Sequence, residues 1–210
     1  GVDRVVAASA PLPEADWVVP LLDLPRLFAT RLDTIPGAVP YLRRPGTDVA
    51  PATREPGRRR VGIVWSGNPD YRKDAERSTR LADWAAVLAV PGVDFVSLQA
   101  GPGAAALARA PVSERPVAAP PLESFETTAA LMAGLDLVIS VDTAAAHLAG
   151  ALARPVWILL AATPDWRWLL GRDDSPWYPT ARLFRQAVPG DWRAVMERVA
   201  AALRADPLRH

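Results

Sequence analysis

The chain of 210 residues is half apolar, and its 24 lysines and arginines nearly balance its 23 aspartates and glutamates. The formal net charge of +1 gives no reason to expect nucleic acid or an anionic membrane as a partner. Cysteine is absent, which excludes disulfides and thiolate metal or redox centres. No apolar run is long enough to span a bilayer and no signal peptide opens the chain, so we expect a cytoplasmic protein.

The first 42 residues are too few for a self-sufficient core. Residues 3–8 (DRVVAA) predict a short buried strand, and residues 24–32 predict one short helix. We therefore interpret residues 1–42 as the remnant of an N-terminal domain whose front is missing. Its uncovered apolar side chains favour self-association, as a homodimer formed through this remnant; they include Trp17, Val18, Leu21 and Leu22.

Residues 43–60 are charged and rich in proline and glycine, which is typical of a linker. From residue 61 to residue 210, short apolar strands alternate with helices of about ten residues, a pattern that predicts a parallel sheet covered on both faces. The predicted strands are 61–65, 95–98, 135–141 and 156–160, and the predicted helices are 81–90, 104–109, 124–133, 143–153 and 191–203.

The loop after the strand 135–141 is the most informative, because ligands of such sheets bind at the carboxyl ends of strands. Asp142 and Thr143 are good N-cap residues, and small residues from Ala144 onward open the next helix. His147 lies four residues after Thr143, on the same helix face. This arrangement fits an anion at the helix N-terminus, and it fits equally a capped helix whose histidine packs beside the sheet.

The segment VDTAAAHLA resembles the signature of bacterial heptosyltransferases. The chain is also similar to the glycosyltransferase-like domain that follows tetratricopeptide repeats in many bacterial proteins. Six further motifs carry the resemblance, in chain order PLLDLPRLFATRLDTIP (20–36), VGIVWSGNP (61–69), ERSTRL (76–81), VSLQAG (96–101), PDWRWLL (164–170) and DSPWYPTARLFRQ (174–186). The resemblance implies a GT-B fold, in which two Rossmann-like domains face each other across a cleft. It assigns residues 61–210 to the C-terminal half, a doubly wound α/β domain that holds the nucleotide-sugar donor.

The resemblance also implies a set of donor-binding residues. Ser66, Gly67 and Asn68 match a loop that faces the diphosphate. Lys73 and Arg77 lie near the position of a phosphate-neutralising lysine, and the match of ERS favours Arg77. The remaining residues are Asp142, Thr143, Ala144 and His147, with Thr163, Asp165 and Arg167 in a later loop.

Individual positions in this set carry more specific expectations. Ala144 stands where heptosyltransferases usually have glycine, which puts the closest backbone approach of the ligand in doubt. Because like charges repel, we expect Asp142 to cap the helix or to accept from a sugar hydroxyl rather than to contact phosphate. A charged, solvated loop around Lys73 and Arg77 remains the alternative for that segment.

The implied function is binding of a nucleoside-diphosphate sugar for metal-independent transfer to an acceptor that the sequence does not name. No cofactor or metal is expected, and no catalytic base is assigned, because the N-terminal domain that usually supplies it is absent. The chain alone is therefore expected to be inactive. The alternative is a degenerate, non-catalytic domain that binds nucleotide or another protein.

Two further features leave alternatives open. The aromatic residues Trp166, Trp168, Trp177 and Tyr178 predict either stacking on a nucleobase, or a lid, or ordinary core packing. The segment GPGAAA (101–106) matches a dinucleotide-binding fingerprint, although it follows the second strand and contains a proline. With His147 and His210 the only histidines, a histidine-based zinc site is not expected.

Overall fold

The computed structural model describes residues 3–43, 57–111, 116–118 and 122–205. The chain divides into two compact units, Gly1–Ile35 and Pro36–His210. Within the described residues, no helix combines the length and the apolarity needed to cross a membrane.

The smaller unit has little regular structure. Helix α1 (Leu24–Leu27) lies between single 3-10 turns at Leu21–Asp23 and Leu32–Thr34. The helix predicted at 24–32 is shorter than expected, because Ala29 adopts a left-handed backbone conformation (φ 49°) that ends it. The strand predicted at 3–8 is wrong: these residues form no strand, since an apolar run becomes one only when a neighbouring strand pairs its backbone.

The larger unit is built on one sheet of six parallel strands in the order β3-β2-β1-β4-β5-β6. The strands are β1 (Arg59–Val64), β2 (Val93–Ser97), β3 (Val117–Ala118), β4 (Leu137–Val141), β5 (Val156–Leu160) and β6 (Ala181–Arg185). The helices are α2 (Asp74–Arg77), α3 (Ala85–Leu88), α4 (Ala106–Arg109), α5 (Phe125–Met132), α6 (Ala144–Ala151) and α7 (Trp192–Ala205). The predicted α/β class with a Rossmann-like parallel sheet is confirmed.

The predicted linker, residues 43–60, lies mostly outside the described residues. Its last two residues, Arg59 and Arg60, belong to β1, where both are buried. The Arg60 N–H donates to the carboxylate of Asp136 at 2.8 Å, which joins the start of β1 to the residue before β4. The predicted domain boundaries themselves remain predictions.

The sheet is covered on both faces, and its strands alternate between two cores. In β4, Ile139 contributes to the core under α3 and α7, whereas its neighbour Val138 contributes to the core under α5 and α6. The same alternation holds in β5, where Leu159 faces the first core and Ile158 the second. Because both faces are buried, β4 and β5 are nearly continuous apolar runs rather than alternating ones, which made these two strands easy to predict.

The strand order places a switch point between β1 and β4. Chain connections leave the sheet in opposite directions on the two sides of this point, which opens a crevice at the carboxyl ends of the strands. The turn after β1 and the loop between β4 and α6 border the crevice directly. The fold therefore brings together the two loops from which most of the donor-binding residues were predicted.

Candidate functional site

A cavity of about 380 Å³ opens at this edge of the sheet. Nine of the residues predicted to bind the donor line it, namely Lys73, Arg77, Asp142, Thr143, Ala144, His147, Thr163, Asp165 and Arg167. Lining residues that sequence reasoning did not assign include Tyr71, Glu76 and Pro164. We call this space the α6 cavity, because it lies at the start of α6.

A second cavity, of about 620 Å³, adjoins the first one. The three remaining predicted residues line it, namely Ser66, Gly67 and Asn68. Arg77, Thr143 and Ala144 border both cavities. The predicted site thus divides into two spaces that meet at the start of α6.

The turn after β1 is held by hydrogen bonds from within the protein. The backbone N–H groups of Trp65 and Ser66 donate to the Oε1 atom of Gln99 at 3.0 and 2.9 Å. The N–H of Gly67 donates to the hydroxyl of Ser78 at 2.8 Å. These three amides already have partners, so the turn shapes the site rather than presenting a row of free N–H donors.

Arg77 ties this turn to the end of β4. Its Nε atom lies 2.9 Å from the Oδ1 atom of Asp74, and its Nη1 atom donates to the backbone carbonyl of Asp142 at 2.7 Å. The guanidinium also lies 4.6 Å from the centre of the Tyr71 ring. A Cβ at Gly67 would overlap with the Arg77 guanidinium and the Asp74 carboxylate, so a larger residue there would displace this ion pair.

Lys73 and Arg77 both line the α6 cavity but are held differently. The Arg77 side chain is only 23% exposed and is fixed by an ion pair, and the second oxygen of Asp74 accepts from the hydroxyl of Ser78. Lys73 is exposed. Arg77 is therefore positioned before any ligand arrives, whereas a contact from Lys73 requires its long side chain to become ordered.

The N-terminus of α6 is not capped by a side chain. Thr143 occupies the N-cap position, but its hydroxyl lies 3.0 Å from the hydroxyl of Ser140, which is fully buried in β4. Thr143 is therefore the N-cap residue, as predicted, although its side chain makes no capping hydrogen bond. The helix start consequently keeps unfilled hydrogen-bonding capacity where the two cavities meet.

His147 lies one turn into α6 and is held on three sides. Its Nδ1 atom lies 3.0 Å from the Tyr178 hydroxyl, and its ring stacks on Trp168 with centroids 5.2 Å apart. Its Nε2 atom lies 3.8 Å from the Oδ1 atom of Asp142. The two alternatives for this residue therefore combine, since His147 packs beside the sheet and also lines the cavity.

The environment of His147 favours its neutral form. Burial lowers the pKa of the imidazole below its ordinary value, and the charge of Arg167 acts in the same direction. The carboxylates of Asp142 and Asp165 oppose this effect without cancelling it. At neutral pH the ring can therefore donate one hydrogen bond and accept one.

The loop after β5 supplies the other wall of the cavity. The carboxylate of Asp165 accepts from both the backbone N–H and the Nη1 atom of Arg167, at 3.1 and 2.7 Å. The Arg167 guanidinium lies 5.0 Å from the centre of the Trp166 ring. Thr163 is exposed at the rim. Arg167 is thus oriented by its own loop.

The aromatic residues of this region divide by burial. Trp168 is fully buried, so a stacking or lid role is wrong for this residue, which forms the floor under His147. Tyr178 is also buried. Trp166 is 58% exposed and meets Trp177 edge to face, with centroids 6.0 Å apart. Among these four residues, Trp166 is the side chain that a ligand can reach most readily.

The glycine-rich segment GPGAAA does not occupy the position of a dinucleotide fingerprint. It follows β2 and forms a 3-10 turn, Gly101–Ala105, before the four-residue helix α4. The fingerprint requires the turn between the first strand and a full helix. Among the described residues, no group of three or more His, Cys, Asp or Glu side chains is placed to hold a metal ion.

Sheet order, two-sided packing and a crevice at the switch point define a Rossmann-like α/β domain. Residues 96–194 match the model of Glycosyltransferase family 9 (heptosyltransferase). The matched span includes Asp142, His147 and Arg167 but not the turn after β1 or Arg77. The resemblance to heptosyltransferases that the sequence predicted is confirmed over this span, and the link to tetratricopeptide repeats remains a prediction.

The chain is 35% identical over 153 residues to Protein FlbA of Caulobacter vibrioides, an alignment that covers 69% of this chain and 25% of FlbA. The chain therefore spans about a quarter of the length of this relative.

Two solved structures are similar at lower identity. A glycosyl transferase family 9 protein from Veillonella parvula is 18% identical with a TM-score of 0.45, covering 63% of this chain and 36% of that one. The ADP-heptose LPS heptosyltransferase II of E. coli is 17% identical with a TM-score of 0.49, covering 73% and 49%.

Proposed function

We propose that this chain is the donor-binding part of a glycosyltransferase and holds the diphosphate of a nucleotide sugar at the N-terminus of α6. The family match supports sugar transfer as the general activity. One observation carries the donor site: an uncapped helix start meets the positioned guanidinium of Arg77 and the ring of His147 in one cavity. Helix N-termini bind anions because their N–H groups and the helix dipole both favour negative charge.

The same groups explain how transfer proceeds without a metal ion. When the sugar leaves, negative charge develops on the diphosphate, and donors that are already oriented stabilise it without reorganisation. Arg77 and the start of α6 supply this stabilisation, and Lys73 adds a mobile charge. Asp142 accepts from a hydroxyl of the sugar or ribose rather than contacting phosphate, because two negative charges repel.

Transfer itself is a property we assign to the longer protein. We place the acceptor and the catalytic base in the N-terminal domain of the GT-B arrangement, and we assign residues 1–42 to the end of that domain. Residues 1–42 by themselves supply neither the proximity of the acceptor nor the general base. We therefore expect this chain to bind the donor but to form no product. We propose that the protein is located in the cytoplasm.

A thermal-shift screen tests the donor site. A ligand that binds only the native state stabilises it by roughly RT ln(1 + [L]/Kd), so one nucleoside diphosphate among UDP, ADP, GDP and dTDP should raise the melting temperature. The panel also includes CMP, which tests for a donor that carries a nucleoside monophosphate. It further includes NADH, which tests the alternative that the chain binds a dinucleotide. A shift with NADH alone would reject the transferase assignment.

A second candidate is a domain that has lost catalysis and only binds nucleotide or another protein. The observation that favours it is internal pairing: Arg77 and Arg167 are engaged by Asp74 and Asp165, which reduces the charge available to a diphosphate. Turnover separates the two candidates. The full-length protein should release nucleoside diphosphate from a nucleotide sugar if it is a transferase, and should bind without release if it is not.

The smaller unit supports a proposal about assembly. Trp17, Val18, Leu21 and Leu22 are each at least 76% exposed. Monomeric proteins rarely leave such apolar clusters uncovered. We propose that this chain forms a homodimer through these residues when it is produced on its own.

A further inference from the structure

We infer that Tyr178 is a positioning residue, whose hydroxyl holds His147 in the tautomer that presents an Nε2–H donor to the cavity. This inference rests on the proposed function and adds a residue to the same site. Tyr178 does not line the α6 cavity, so it acts through His147 rather than by touching the ligand.

The direction of the hydrogen bonds sets the tautomer. The hydroxyl of Tyr41 donates to the hydroxyl oxygen of Tyr178 at 3.4 Å. Tyr178 then has its own proton to give, and the Nδ1 atom of His147 lies 3.0 Å away. A neutral imidazole that accepts at Nδ1 carries its proton on Nε2.

The ring of His147 has little freedom to turn away from this arrangement. It is stacked on Trp168 at an interplanar angle of 19° and meets the Tyr178 ring at 62°, with centroids 5.8 Å apart. The Nε2 atom is the ring nitrogen on the side of Asp142, which lines the cavity. A phosphate oxygen placed at the start of α6 can therefore take the Nε2–H.

Helix α6 has a glycine, a poor helix former, at the position that faces the Tyr178 ring. Gly150 lies three residues after His147, and a Cβ at that position would overlap with the Tyr178 ring. Glycine is unfavourable in a helix interior, so its presence here calls for a packing reason. The close approach of Tyr178 to α6 supplies one and puts the hydroxyl within reach of Nδ1.

The backbone before the sheet fixes the outer end of this chain of hydrogen bonds. The N–H groups of Tyr41 and Leu42 donate to the carbonyl of Ala151, at the end of α6, at 3.1 and 3.2 Å. The backbone of Tyr41 is therefore hydrogen-bonded to the end of α6, the helix that carries His147. Tyr178 is buried as a residue, and burial raises the pKa of its hydroxyl, so it remains a donor at neutral pH.

The tautomer can be measured directly in the ligand-free chain by long-range ¹H–¹⁵N correlation of its two histidines. His147 should show the Nε2–H pattern, and a His147→Gln variant assigns its signals against those of His210. In Tyr178→Phe, which keeps the ring but removes the donor, the signals should shift towards a mixture of both tautomers. Tyr41→Phe removes the hydroxyl that donates to Tyr178, so its signals should shift in the same direction but less, because Tyr178 keeps its own proton.

Binding of ADP and UDP to the same variants tests the consequence. For whichever nucleotide binds, Tyr178→Phe should lose about two- to tenfold in affinity, the range expected for one hydrogen bond between neutral groups. An Nδ1–H pattern in the unaltered chain, or an unchanged pattern in Tyr178→Phe, would overturn the inference. If neither of these nucleotides, nor GDP or dTDP, binds the unaltered chain, the proposed function fails, while the tautomer still decides the role of Tyr178.

Discussion

At the scale of single residues, Arg77 joins parts of the chain that are 65 residues apart by donating to the carbonyl of Asp142. Lysine cannot make the same two directed contacts, because it has one ammonium instead of a planar fork. Arg77→Lys should therefore weaken binding of the active nucleotide by about 1.5–3 kcal/mol, the range for hydrogen bonds to charged groups. Isothermal titration calorimetry measures this loss.

The control for this variant is Arg172→Lys. Arg172 also forms an ion pair with an aspartate, Asp174, but lines neither cavity. Its replacement should leave affinity unchanged. Unaltered affinity in Arg77→Lys together with complete loss in Lys73→Ala would show that Lys73, not Arg77, neutralises the phosphate.

His147 gives the stability of the protein a characteristic pH dependence. Burial lowers its pKa in the folded state, whereas in the unfolded chain it titrates near about 6.5. Below about pH 6.5 the unfolded state therefore binds more protons, and stability falls as pH falls through the folded-state pKa. Denaturant unfolding between about pH 8 and about pH 5 should show a steeper loss for the unaltered chain than for His147→Ala. If the stability of the two proteins changed in parallel with pH, the claim that His147 is buried in its neutral form would be contradicted.

The sequence predicted which residues of this site lie close together along the chain, but not which contacts form between distant segments. Asp142, Thr143 and His147 share one loop and one helix turn, so spacing alone brings them together. The contact between Arg77 and the Asp142 carbonyl, and that between His147 and Tyr178, depend on how the sheet is ordered. No local pattern encodes such contacts.

At the scale of elements, the uncapped start of α6 links stability to binding. Thr143→Asp supplies a capping carboxylate, which should stabilise the ligand-free protein by about 0.5–2 kcal/mol. The same carboxylate occupies the helix start and repels phosphate, so nucleotide affinity should fall at least about tenfold. Thermal unfolding and calorimetry report the two effects.

The neutral cap Thr143→Asn is the matched variant. It should stabilise the ligand-free protein similarly but lose less affinity, because it adds no charge. Equal affinities in the Asp and Asn variants would mean that no anion binds at this helix end.

Elements buried on both faces were predictable, and short or charged elements were not. Strand β5, Val156–Leu160, was predicted to the residue because five consecutive apolar side chains are buried. Strand β6 (ARLFR) was missed, since two arginines break its apolar pattern. Helix α2 has four residues and no apolar face to reveal it. The apolar run at 3–8 gave the opposite error: a strand was predicted where none forms, because the run has no partner strand.

At the scale of the whole molecule, the buried core belongs to one unit. Every buried residue of the two core clusters lies at position 61 or beyond, and none of the described side chains in 3–35 is buried. A fragment of residues 36–210 should therefore fold, keep its nucleotide affinity and remain monomeric. The complete chain should sediment as a dimer. A monomeric complete chain would reject self-association through the smaller unit.

The central claim, a diphosphate held at the start of α6 without a metal, is tested most directly by calorimetry with a phosphate series. The nucleoside, its monophosphate and its diphosphate are titrated into the chain, with and without a chelator. Affinity should rise by at least about tenfold from monophosphate to diphosphate, as expected for added hydrogen bonds to charged groups, and should not change with the chelator. Equal affinities along the series, or binding that the chelator abolishes, would contradict this account.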